Sequence, residues 1–297
     1  MKKNLAVMTA VLMMAALAGC GGNEAAETTA APAAEGTAEA EAAETTAAPA
    51  AEGTEASDSA EESGEAKTTF TVGFDADLPP MGFMDDDGSY VGFDLDLARE
   101  AADRMGLEFV AQPILWDAKD MELDNGTIDC VWNGFTITGR EDQYTWTEPY
   151  MNNEQVFVVL ADSGITDTAG LAGKVVEVQV DSAAETALNG MPDLKATLAS
   201  VETTPNYNQA IMDLEMGAVD AVAMDSVVAQ YLLTQRGTDA VILDEALSSE
   251  QYAVGFKLGN EELRDQVQAV LEEMAADGTM AEISTEWFGS DITTIGK

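Results

Sequence analysis

Between Gly21 and Thr68 the chain has no Val, Ile, Leu, Met, Phe, Tyr or Trp, so nothing there can be buried to offset the entropy of ordering it. Every packed element must come from residues 69 to 297. The stretch carries twelve acids and one Lys, and "AAETTAAPAAEGT" occurs from Ala25 and again from Ala42, a 17-residue period. Its Pro, Gly and Thr interrupt the helix that Ala and Glu favour, and so short a period without apolar residues is no solenoid. Residues 21–68 therefore read as a disordered acidic tether, spanning about 40 Å root-mean-square as a flexible coil and more under self-repulsion.

Residues 1–20, "MKKNLAVMTAVLMMAALAGC", place two Lys before an apolar run too short to span a bilayer. This predicts an export signal. The ending "LAGC" resembles a bacterial lipobox, in which cleavage leaves Cys20 as an acylated N-terminus and acyl chains anchor the protein to the membrane. An ordinary cleaved signal with a chance cysteine is the plainer alternative. The expected location is the outer face of the bacterial cytoplasmic membrane.

The chain has 55 Asp and Glu against 13 Lys and Arg, a net charge of −42, of which −33 falls on residues 69–297. Such a surface repels nucleic acid and anionic lipid. It is first of all a solvated surface, and it also favours cationic or zwitterionic ligands over anions. Besides Cys20 only Cys130 is present, so no internal disulfide is expected, and in "TIDCVW" that residue reads as a small buried hydrophobe. There is no His, nucleophile elbow, P-loop or metal-spaced Cys/His set. No catalytic residue, metal or cofactor is expected.

Residues 69–297 alternate short apolar runs with helical patterns, which predicts an α/β fold. The first strand is "FTVGF"; Asp94 is expected to cap a helix ending at Gly106 with Leu97, Ala101 and Met105 on one stripe; strands follow in "LEFVAQPI" and "IDCVW" around a short helix after Trp116. These crossovers predict a parallel sheet. After "EQVFVVL" the same units recur: "KVVEVQV", a helix from Ser182, a strand near "LASVE", "NYNQAIMDLEMG", "DAVAM" and "SVVAQYLL". Two small sheets fit better than one large one. A long helix from Asn260 to about Asp277 and an amphipathic stretch with Trp287 and Phe288 close the chain.

The strings "VGFDADLPPMGF", "YVGFDLDLA", "WNGFTITGRED", "GKVVEVQVDSAAE" and "VDAVAMDSVVA", in this order, resemble the extracellular solute-binding proteins of bacterial amino-acid ABC transporters, the family 3 type. The resemblance implies a two-lobed, type II periplasmic-binding-protein fold with two crossover strands as hinge. Lobe 1 is expected over 69–157, completed by 253–297, and lobe 2 over 158–252, the chain crossing near Glu154 to Leu160 and Gln251 to Phe256. The implied function is binding of a free L-amino acid by a monomer and delivery to an ABC permease. The rivals are an amino-acid-sensing receptor and a dehydratase on the same fold, for which Glu177, in place of a common Gly, would be a candidate acid.

A free amino acid brings a carboxylate and an ammonium, and each charge needs a partner once water is excluded. Arg140 offers a planar fork for the carboxylate, and Asn133, Gly134 and Thr136, after "IDCVW", offer backbone and hydroxyl partners. The chain has one residue fewer between Thr136 and Arg140 than the family often has. The alternative is a surface Arg paired with Glu141 or Asp142. The resemblance assigns the ammonium to Asp225, otherwise a helix N-cap, and a carboxylate contact to Ser182, although Asp181 replaces the family's usual Gly and Ala183 a hydroxyl residue. It assigns side-chain choice to Asp75, Leu78 and Trp116, with Leu78 where many relatives carry an aromatic; Trp116 could otherwise be core.

Overall fold

A computed structural model gives the structure of residues 67–297; the export signal, Cys20 and the tether up to residue 66 lie outside the described residues. Strand β1 (Thr69–Phe74) alternates so that Phe70, Val72 and Phe74 are fully buried. A small antiparallel meander follows, β2 (Asp77–Leu78), β3 (Gly82–Met84) and β4 (Tyr90–Val91), and leads into α1 (Phe93–Met105). Asp94 is not the cap of this helix. Gly92 holds that position at φ 145°, where a Cβ would lie 2.3 Å from the Met81 carbonyl oxygen, so only glycine fits. Asp94 sits inside the first turn, fully buried. The helix does end at Gly106 in the left-handed conformation, with Leu97 and Ala101 buried and Met105 packed at the core's edge.

From there β5 (Glu108–Pro113), a 3-10 turn (Trp116–Ala118), α2 (Lys119–Asn125) and β6 (Cys130–Val131) place two parallel strands on either side of β1. Next comes β7 (Thr145–Trp146), then the long β8 (Met151–Leu160). The second set of units is β9 (Val175–Gln179), α3 (Ala183–Asn189), α4 (Pro192–Lys195), β10 (Ser200–Thr204), α5 (Tyr207–Glu215), β11 (Ala221–Asp225), α6 (Ser226–Arg236) and β12 (Ala240–Ile242). The chain closes with β13 (Ser248–Tyr252), β14 (Gly255–Phe256), α7 (Glu261–Asp277) and α8 (Thr279–Phe288).

Two separate sheets result, in the orders β5-β1-β6-β14-β7 and β10-β9-β11-β8-β12. The predicted parallel pairing holds for three strands in each; β14 and β7 in the first, and β8 and β12 in the second, run antiparallel to their neighbours. Between the sheets β8 and β13 form an antiparallel ribbon over Met151–Gln155 and Ser248–Tyr252. This lies a few residues before the positions expected from the sequence, because β8 from Gln155 onward is already committed to β11 and β12. Helices α7 and α8 pack on α1: Phe288 meets the Phe93 ring edge-on at 5.0 Å, Trp287 donates to Asp96, and Arg104 pairs with both Glu100 and Asp277.

Candidate functional site

The parallel strands of both sheets end at one cavity, and all nine residues expected there line it: Asp75, Leu78, Trp116, Asn133, Gly134, Thr136, Arg140, Ser182 and Asp225. The side chains close in on it so tightly that only about 20 Å³ is left free. Asp75 and Leu78 follow β1, Trp116 follows β5, and Asn133 to Arg140 follow β6; from the second sheet come Ser182 after β9 and Asp225 at the end of β11. Carboxyl ends of parallel strands are where ligand crevices form in such sheets.

Arg140 is 7 % exposed, which removes the reading of a surface arginine paired with its neighbours. Its Nη2 donates to the Asp181 carbonyl at 3.0 Å and its Nη1 lies 3.4 Å from the Thr136 carbonyl. Among the described residues no carboxylate forms an ion pair with it. A desolvated guanidinium with neutral partners only is a prepared anion site. Asn133 is fully buried, its Oδ1 accepting from the Asp75 N–H at 3.0 Å. The Gly134 N–H is already taken, donating to Asp94 Oδ2 at 2.6 Å, and Tyr150 donates to the same oxygen at 2.9 Å. Asp94 thus braces the loop after β6 instead of capping α1, and burial lifts its pKa to about 7.

Asp225 occupies the N-cap position of α6 but makes no capping hydrogen bond with its side chain. Its Oδ1 instead accepts from Tyr252 Oη at 2.6 Å, Gln155 Nε2 at 2.7 Å and Asn153 Nδ2 at 3.0 Å. The same two amides donate to Glu250 Oε1, each at 2.8 Å. Burial raises the pKa of Asp225, against the pull of these hydrogen bonds. Burial first, and the charge of Asp225 second, lift Glu250 to about 8. Ser182 caps α3, its hydroxyl accepting from the Glu185 N–H at 3.1 Å, while its own N–H points to the Gln179 carbonyl.

Asp75 Oδ1 accepts from the Asp77 N–H and Oδ2 from Gln179 Nε2 at 2.6 Å; burial raises this carboxyl to about 6. Trp116 is both wall and core: it lines the cavity and also stands edge-on to Phe135 at 5.4 Å. Leu78 is 5 % exposed. Glu177 is absent from the lining. Among the described residues no group of His, Cys, Asp or Glu is arranged to hold a metal ion.

Sequence reasoning missed Gln179, Ala183 and Tyr207 in the lining, and Asn153, Gln155, Glu250 and Tyr252 behind Asp225. The second group shows itself only in the fold. Polar residues stand at alternate positions of the first half of β8 and of β13 that the fold buries, Asn153, Gln155 and Glu250, and a strand tolerates this only where partners wait.

Two sheets joined by a two-strand ribbon around a charged cavity define a two-lobed ligand-binding protein. The chain belongs to the bacterial extracellular solute-binding proteins, family 3, whose model matches residues 70–290. It is 32 % identical over 228 residues to the L-cystine-binding protein TcyJ of Escherichia coli K12, covering 76 % of this chain and 84 % of that one. With the L-cystine-binding protein TcyA of Bacillus subtilis it shares 29 % over 231 residues, 76 % of this chain and 84 % of the relative. A histidine-bound ABC uptake transporter substrate-binding protein of Streptococcus pneumoniae superposes with a TM-score of 0.74 at 36 % identity, over 76 % of this chain and 94 % of that structure.

Proposed function

We propose that the cavity binds a free L-amino acid and that closure of the two lobes presents it to the permease of an ABC transporter. The observation that carries this is the pair of buried opposite charges facing one cavity from different sheets, Arg140 and Asp225, neither in an ion pair within the protein. Each is costly alone and is satisfied by one end of a zwitterion. Arg140 takes the carboxylate, with the Thr136 and Ser182 hydroxyls beside it. Asp225 takes the ammonium. Asn133 and Gly134 hold the floor, and Asp75, Leu78 and Trp116 face the side chain. The relatives named for cystine and histidine support this class of ligand.

The lobes are 69–157 with 253–297, and 158–252. Export and acylation at Cys20 would hold the domain at the outer face of the membrane on its acidic tether; Cys20→Ser should move the protein from the membrane fraction to the medium, and retention on the membrane would remove the anchor. A thermal-shift screen with the twenty L-amino acids and L-cystine tests the binding itself. Ligand at about a hundred times its Kd should stabilise the protein by roughly 2.7 kcal/mol. A flat response to all of them would overturn the reading.

A further inference from the structure

Three side chains of the first lobe converge on a single residue of the second. Trp116 Nε1 donates to the Asp181 carbonyl at 3.1 Å, Arg140 Nη2 donates to the same oxygen at 3.0 Å, and Lys119 Nζ forms an ion pair with the Asp181 carboxylate. Lys119 is 1 % exposed and lies over the Trp116 ring at 5.1 Å. Asp181 is the one non-glycine residue with positive φ among the described residues, at 56°, and its N–H is held by Glu185 Oε2 at 2.7 Å. A left-handed backbone is easiest for glycine and is tolerated by Asp when its surroundings over-determine it. That backbone turns the Asp181 carbonyl toward Arg140 and Trp116 while the carboxylate reaches Lys119.

We infer that Lys119 and Asp181 form a clasp between the lobes and act as positioning residues for Arg140. All its contacts join protein groups. The ion pair draws the lobes together and so brings the Asp181 carbonyl against the guanidinium that faces the cavity, fixing its plane. The pair has a second effect. Asp181 places a carboxylate next to an anion site, and Lys119 neutralises it, so the cavity keeps the field of Arg140. Because one partner is half exposed, the clasp biases the open-closed equilibrium and does not lock it. The ion pair joins α2 of the first lobe to the loop before α3 of the second, beside the hydrogen bond from Trp116 to the same residue.

The test reads closure without any ligand. In the full chain, solvent exchange of the Trp116 indole N–H is followed by nuclear magnetic resonance. Asp181→Gly keeps a residue at ease at φ 56° and retains the carbonyl; Lys119→Met keeps the buried stem. Each should speed indole exchange by about ten-fold, and the double variant should do no more, because either change abolishes the same pair. Raising salt to about 1 M should move the wild type in the same direction. Additive effects in the double variant, or exchange within about two-fold of wild type in both single variants and at high salt, would overturn the clasp. The benefit of the clasp rests on Arg140 as the carboxylate-binding group, but this measurement does not, so its failure leaves amino-acid binding standing.

Discussion

Arg140 and Asp225 are worth most where they are least compensated. Removing either strands the opposite charge of a bound zwitterion in a desolvated cavity, so Arg140→Ala and Asp225→Ala should each weaken binding by about 3–5 kcal/mol. Titration calorimetry should then show a Kd raised roughly a hundred- to a few thousand-fold; near-wild-type affinity in either variant would remove that residue from the site. Glu250 adds a proton to the account. Held at about 8, it is protonated at neutral pH, and an ammonium arriving beside Asp225 favours its ionised form. Binding should release a proton near neutral pH, and affinity should rise with pH toward about 8 and level off above it. Glu250→Gln, which keeps a neutral hydrogen-bonding group, should abolish both. The check is the binding heat in phosphate against Tris, and a wild-type heat independent of buffer would refute the idea.

At the level of elements, the order of strands and helices was legible because the apolar runs are short, bounded by glycine and separated by helical periodicity. What stayed hidden were side chains whose role depends on a distant neighbour. Asp94 two residues after Gly92 has the look of a helix cap, yet its partners are Gly134 and Tyr150, brought to it only by folding. The family resemblance singled out Asp225 at the end of an apolar strand, and it does line the cavity, whereas the amides of Asn153 and Gln155 that hold it come from β8, some seventy residues earlier in the chain. Arg140 reaches the cavity despite the shortened spacing, since the loop bends through Gly134 at φ 55° and Gly139 at φ 83°. Gly92 is the element-level point of no substitution. Gly92→Ala must either abandon φ 145° or push into the Met81 carbonyl, and a loss of at least about 1–3 kcal/mol in urea unfolding is expected. An unchanged denaturation midpoint would mean that the entry to α1 relaxes.

For the molecule as a whole, burial of acids sets an unusual pH dependence. Asp75, Asp94 and Glu250 are raised to about 6, 7 and 8 from ordinary values near 4. The native state therefore keeps protons that the unfolded chain gives up once pH exceeds about 4. Their contribution to stability is complete below that point and is lost as pH rises through 6 to 8. The −33 charge of residues 69–297 acts in the same direction through self-repulsion. Melting by calorimetry should give a higher Tm at about pH 5.5 than at about pH 8.5, and a Tm that rises across this range would contradict the assignment.

The ribbon also has a consequence for inheritance. Met151 faces Tyr252 at one end of it, and the first-sheet strands on either side, β7 and β14, end and begin within a few residues of that pair. To the first lobe, the second is an insertion with adjoining ends, the kind of boundary at which whole modules are exchanged. Two cavity charges with no ion-pair partner among the described residues fall on opposite sides of that boundary, Arg140 before it and Asp225 within it. A chimera joined within the ribbon would thus keep Arg140 and import the residues that face it, changing one side of the cavity while leaving the other intact.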